Sequence, residues 1–131
     1  MYSKKRQFGN IGEDIAVKHL ISKGFSIIDR NYLKKWGEID IVARGTDNKL
    51  HFIEVKSVSR EISSNLKKIV SHDTFRPEEN VTRAKLLKME RTISSWTLEH
   101  EFEGDWQIDV VTIELDMEKR VGRFKMIENV Y

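Results

Sequence analysis

The chain has 131 residues, of which 39% are apolar or aromatic, with one proline and no cysteine. Against a working size of roughly 100–200 residues per domain, that predicts a single domain over residues 1–131 with a core of its own. The lack of cysteine excludes a disulfide scaffold, a zinc ribbon, a thiolate iron–sulfur site and a cysteine nucleophile. No run of about 18 apolar residues occurs, and Met1 to Arg6 carries charge with no apolar stretch behind it. The expectation is a cytoplasmic protein with neither a membrane span nor a secretory signal.

The net charge of +2 conceals an uneven distribution. Residues 1–36 hold eight Lys or Arg against three Asp or Glu, whereas residues 96–131 hold four against nine. Such asymmetry fits a positive face for a polyanion; the plainer alternative is an ordinary solvated surface.

In chain order, apolar residues at helical spacing (Ile11, Ile15, Ala16, Leu20) predict a helix over 8–23, closed by Gly24. Phe25 to Tyr32 is rich in β-formers and predicts a strand. Gly37–Arg44 and Leu50–Val58 predict two more, joined as a hairpin by Gly45-Thr46-Asp47-Asn48-Lys49. Residues 59–76 show no steady period and read as a loop or short helix, in the role of a lid or dimer arm. Pro77-Glu78-Glu79 predicts the start of a long helix over 77–98, with Leu86, Met89, Ile93 and Trp96 on one face. Gln107–Leu115 predicts a strand and Arg123–Ile127 a further short one. The order predicts an α/β domain: a central mixed sheet of about five strands flanked by α-helices.

The hairpin carries the most specific chemical signal. It sets Gly37-Glu38-Ile39-Asp40 on one strand and Phe52-Ile53-Glu54-Val55-Lys56 on the next. Side chains alternate along a strand, so Glu54 and Lys56 share a face. Charged groups inside otherwise apolar strands are costly unless paired or bound to a cation. If Asp40 and Glu54 meet across the pair, Mg²⁺ (or Mn²⁺) is the natural ion between them, with the Val55 carbonyl as a third oxygen. Lys56 would stand beside the attacking water, a recipe for phosphodiester hydrolysis. A surface hairpin with a Lys–Glu pair is the plain alternative. Gly12-Glu13, near the start of the first helix, adds another acid, which taken alone reads as a helix N-terminal charge.

The string Gly12-Glu13-Asp14-Ile15-Ala16, Gly24-Phe25, Asn31-Tyr32, Gly37-Glu38-Ile39-Asp40-Ile41 and Phe52-Ile53-Glu54-Val55-Lys56 strongly resembles the YraN-like proteins. These are small bacterial proteins of the PD-(D/E)XK nuclease superfamily, related to archaeal Holliday-junction resolvases. The resemblance implies a restriction-endonuclease-like fold and a metal-dependent endonuclease acting on DNA, including branched or junction DNA. It implies Asp40 and Glu54 as metal ligands, Glu13 as a supporting first-helix carboxylate, Lys56 at the attacking water and Lys85 pointing to the site from the long helix. Asp109, in Gln107-Ile108-Asp109-Val110-Val111, matches a segment whose aspartate supports structure. Relatives that cut both strands of a junction act as two-fold dimers, so a homodimer is implied.

Two basic groups, Lys4-Lys5-Arg6 and Lys34-Lys35-Trp36, are the candidates for contact with a phosphate backbone, and Trp36 for stacking on a base. The four histidines are dispersed without metal-ligand spacing and read as non-catalytic. The alternative to an enzyme is a catalytically silent nucleic-acid-binding module built on the same fold.

Overall fold

The computed structural model describes residues 4–59, 82–116, 118–119 and 121–130. In chain order they form α1 (Lys4–Ser22), β1 (Ser26–Lys34), β2 (Gly37–Arg44), β3 (Leu50–Ser59), α2 (Arg83–Glu99), β4 (Trp106–Asp116) and β5 (Val121–Ile127). The strands make one sheet in the order β1-β2-β3-β4-β5. Neighbours are antiparallel except β3 and β4, whose parallel pairing requires a crossover; α2 lies in that connection. This is the α/β architecture with a five-stranded mixed sheet that the order of elements predicts. Among the described residues no helix is long and apolar enough to cross a membrane.

Each helix covers one face of the sheet. Ala16 and Leu20 of α1 pack on Ile41, Ala43, Ile53 and Val111. Ile93 and Trp96 of α2 pack on Ile39, Val42, Leu50 and Phe52. With both faces covered, Leu50 to Ile53 is buried at every residue rather than at every second one.

The end of α1 follows the sequence closely. Gly24 adopts φ +95 and Phe25 N–H returns to the Leu20 carbonyl at 3.0 Å, a glycine-closed helix terminus. The start of α2 differs from the expectation. The helix begins at Arg83, not Pro77, because Thr82 is extended and its Oγ1 accepts the Lys85 N–H at 3.1 Å. Pro77 to Val81, and the lid or dimer arm expected within 59–76 apart from Ser59, lie outside the described residues.

The feature that positions the site is a change of face in β1 and β2. Residues two apart in a strand normally share a face. Arg30 and Ile41, partners in register, both serve the α1 side, yet Tyr32 and Ile39, also partners, pack on the α2 side. On β1 the chain turns over at Asn31, whose φ of 54 is a left-handed conformation that asparagine tolerates better than most residues. On β2 the residue between the two faces is Asp40, so its side chain is directed along the sheet toward β3. Asn31→Val is expected to lower stability by about 1–2 kcal/mol in urea unfolding, while Asn31→Gly stays within about 1 kcal/mol of wild type. Equal losses in the two variants would contradict the role given to that backbone turn.

Candidate active site

β2 and β3 remain paired from Arg44↔Leu50 to Ile41↔Ile53 and then part. Asp40 would be opposite Glu54 in the next pair. Instead, Asp40 Oδ2 accepts the Val55 N–H at 2.8 Å, a side-chain oxygen standing where a main-chain carbonyl would otherwise satisfy that donor. In an extended strand the N–H and C=O of one residue point toward the same neighbour, so the Val55 carbonyl faces the same gap.

Two further elements bring acids to this gap. Glu54 alternates with Phe52 and so lies on the α2 side, where its Oε1 is 2.8 Å from Lys56 Nζ. Glu13 enters from α1 and is 7% exposed. Arg30 holds it, donating Nε and Nη2 to Glu13 Oε1 at 3.2 and 3.1 Å, with Nη2 also donating to Asp14 at 2.8 Å. Burial, above all, pushes the Asp40 carboxyl up to about 7. The Val55 hydrogen bond opposes that shift, and the charges of Glu13, Glu38 and Glu54 add to it.

Glycines precede two of these acids because neighbouring elements come too close for a side chain. A Cβ on Gly12 would collide with Ser57 Oγ of β3, and one on Gly37 with Thr92 Oγ1 of α2. The first lets α1 deliver Glu13, and the second lets α2 settle over the start of β2. Between α2 and the parted strands lies an open cleft of about 130 Å³. Glu38 and Glu54 are on its sheet side; Lys85, Lys88 and Met89 are on its helix side.

The structure therefore brings together Glu13, Asp40, Glu54, Val55 and Lys56, with Lys85 on the facing wall. Of the residues expected to touch a phosphate backbone, Lys34 is paired with Glu99 at 2.6 Å, and the Trp36 ring lies beneath the Arg91 guanidinium at 4.3 Å. Lys35 is exposed. The side chains of Lys4, Lys5 and Arg6 lie outside the described residues.

Two participants were not foreseen: Arg30 and Lys88. Lys88 was legible, because it follows Lys85 by three residues and so shares its helix face. Nothing in the sequence indicates Arg30's partner, which depends on the change of face at Asn31.

A separate polar cluster lies on the α1 side near the β2–β3 turn. Asp109, fully buried, accepts from His51 Nδ1 at 2.6 Å, Gln107 Nε2 at 2.8 Å and Asn129 N–H at 2.8 Å. The other ring nitrogen of His51 faces Asp47 at 3.2 Å. Among the described residues, only His51, Asp109 and Glu128 bring three ligand-type atoms within 4.8 Å of one another. The carboxylates around Asp40 are thus more widely spaced than a closed metal site. The buried pair ties the strands together, with each inward oxygen or nitrogen already engaged.

The raised pKa of Asp40 has a stability consequence. A carboxyl with a higher pKa folded than unfolded stabilises the fold fully below the unfolded value, and that stabilisation is lost as pH rises through the folded one. In a chelator, wild type should therefore lose on the order of a few kcal/mol relative to Asp40→Asn between pH 4 and pH 8, read by urea unfolding. A difference that is constant across that range would contradict the burial and charge crowding described for Asp40.

Comparison with known proteins gives the family directly. The model of "Uncharacterised protein family UPF0102" matches residues 12–113. A UPF0102 protein of Campylobacter fetus subsp. fetus is 37% identical over 127 residues, covering 97% of this chain and 96% of its own. One from Campylobacter concisus is 33% identical over the same shares, and one from Campylobacter jejuni subsp. jejuni is 38% identical over 83% of this chain and 85% of its own. Among solved structures, a repair endonuclease from Pyrococcus abyssi is similar at a TM-score of 0.39 and 17% identity, over 86% of this chain and 38% of that one. That distant likeness carries no argument about activity. The matched span contains Glu13, Asp40, Glu54 and Lys56, and the chain belongs to the UPF0102 family, the YraN-like proteins that its motifs resemble.

Proposed function

We propose that this protein is a divalent-metal-dependent DNA endonuclease hydrolysing phosphodiester bonds at the cluster of Asp40, Glu54 and Lys56. The observation that carries the reading is Asp40, fixed in the gap between two strands by the Val55 N–H and crowded by three other carboxylates. Buried hard-oxygen donors short of positive charge fit Mg²⁺ or Mn²⁺. Asp40, Glu54 and the Val55 carbonyl would hold the ion, with Glu13 in support. Such an ion would polarise a phosphoryl oxygen and favour ionisation of water at neutral pH.

The chain's own groups do the rest. Lys56 shares a face with Glu54 and pairs with it at 2.8 Å; its ammonium would stabilise negative charge developing on the phosphate oxygens. Arg30 holds Glu13 by two hydrogen bonds and so orients it at the cluster. Branched DNA is the substrate favoured by the motifs' resemblance to junction resolvases. Cutting both strands of a branch needs two sites, which a two-fold homodimer would supply.

The second reading is a catalytically silent nucleic-acid-binding module. The Lys56–Glu54 ion pair favours it, since each group quenches the other while they remain together.

The test is incubation of branched, nicked, single-stranded and linear DNA with Mg²⁺, Mn²⁺ or a chelator. Cleavage is expected with either metal, falling by at least about 10²-fold in Asp40→Ala and Lys56→Ala, while DNA binding survives. Binding without cleavage under every condition would overturn the enzyme in favour of the silent module. Cleavage that persists in Asp40→Ala would remove this site from the reaction.

A further inference from the structure

We propose that Lys85 and Lys88 of α2 form a grip for the nucleic-acid backbone, holding the phosphates that flank the reacting one against the helix wall of the cleft. The inference rests on the nuclease reading above and adds to it the surface that binds the substrate strand.

The two lysines are three residues apart, so they project from one face of α2. Both line the cleft, opposite Glu38 and Glu54. Their position is fixed by packing rather than by charge. The Lys88 carbonyl lies 3.6 Å from where a Gly37 Cβ would stand, and Thr92, one turn on, returns its hydroxyl to that carbonyl at 2.7 Å. The same close approach that requires glycine at position 37 therefore sets Lys88 above the start of β2.

Among the described residues neither ammonium is in an ion pair. Three other basic groups among the described residues are engaged. Lys56 is held by Glu54, Lys34 by Glu99, and Arg91 rests on Trp36. Lys85 and Lys88 thus line this cleft as cations without an ion pair among the described residues.

A cleft with a carboxylate wall facing an ammonium wall suits a ligand that is itself anionic and that meets a cation on its other side. A phosphodiester has that character. Contacts of this kind fix register without reading sequence, and each adds to the salt dependence of binding. A mononucleotide offers the same phosphate chemistry as a strand, but it places one phosphate where a strand places several.

The experiment is fluorescence anisotropy of a labelled 20-nucleotide DNA in a chelator, titrated at several salt concentrations, with thymidine monophosphate as competitor. The proteins are wild type, Lys85→Ala, Lys88→Ala, Lys88→Arg and the control Lys125→Ala on exposed β5. Lys88→Ala and Lys85→Ala should each bind several-fold more weakly, with the slope of log affinity against log salt smaller by about 0.7. Lys88→Arg should restore binding, Lys125→Ala should match wild type, and thymidine monophosphate at equal phosphate should not displace the strand. Mn²⁺ binding should be the same in Lys88→Ala as in wild type, which separates a grip from a damaged site.

Unchanged affinity and slope in Lys88→Ala would overturn the grip and leave the nuclease reading standing. Displacement by the mononucleotide at equal phosphate would overturn the strand as occupant. Lysine-dependent binding by a protein that never cleaves would uphold the grip and defeat the nuclease reading.

Discussion

One hydrogen bond organises this end of the molecule: the main-chain N–H of Val55 is satisfied by the side chain of Asp40. A sheet can let two strands part only if the freed donors and acceptors find other partners. Here the partner is a carboxylate, so the residue that satisfies the sheet is also the one to which the proposed function gives the metal. The gap it leaves exposes a backbone carbonyl and brings acids from β2, β3 and α1 within reach of each other. The parting of the strands depends in turn on Asp40 lying between a residue facing α1 and a residue facing α2. That is why a change of face, ordinarily a local irregularity, decides the geometry of the whole cluster.

The electrostatics follow from the same arrangement. Two of the acids have dedicated cations, Arg30 on Glu13 and Lys56 on Glu54. Asp40 is held by a neutral N–H instead, and its burial makes the charged form expensive. The site therefore has a graded character. Glu13 and Glu54 are balanced by neighbouring cations, and among the described residues the central acid has none, a distribution that favours a hard cation at the centre. The helix wall of the cleft supplies the complementary charge at a distance, where it can serve an anionic ligand without quenching the acids.

Much of this was legible in the residues. The helix ending at Gly24, the hairpin boundaries and the mixed sheet followed from periodicity and turn chemistry. The candidate acids followed from charges set in apolar strands. What the sequence hid were contacts that depend on the third dimension. Arg30 read as one charge in a run of β-formers, yet the turn at Asn31 aims it at Glu13 seventeen residues away. Trp36 read as a free aromatic in a basic turn, yet Arg91 covers one of its faces. The α2 start was misread because Pro77-Glu78-Glu79 is a strong local signal, whereas the cap at Thr82 is decided by one side-chain oxygen. His51 and Asp109 are far apart in sequence and only their strands' parallel register makes them a buried pair.

The central claim is that the parted strands hold a divalent cation between Asp40 and Glu54. Crystals grown with Mn²⁺ and measured at the manganese absorption edge test it most directly. The account predicts a single anomalous peak about 2.0–2.2 Å from carboxylate oxygens of both residues, absent in crystals of Asp40→Asn. A peak at His51 and Asp109 with none at Asp40, or no peak at saturating Mn²⁺, would contradict it.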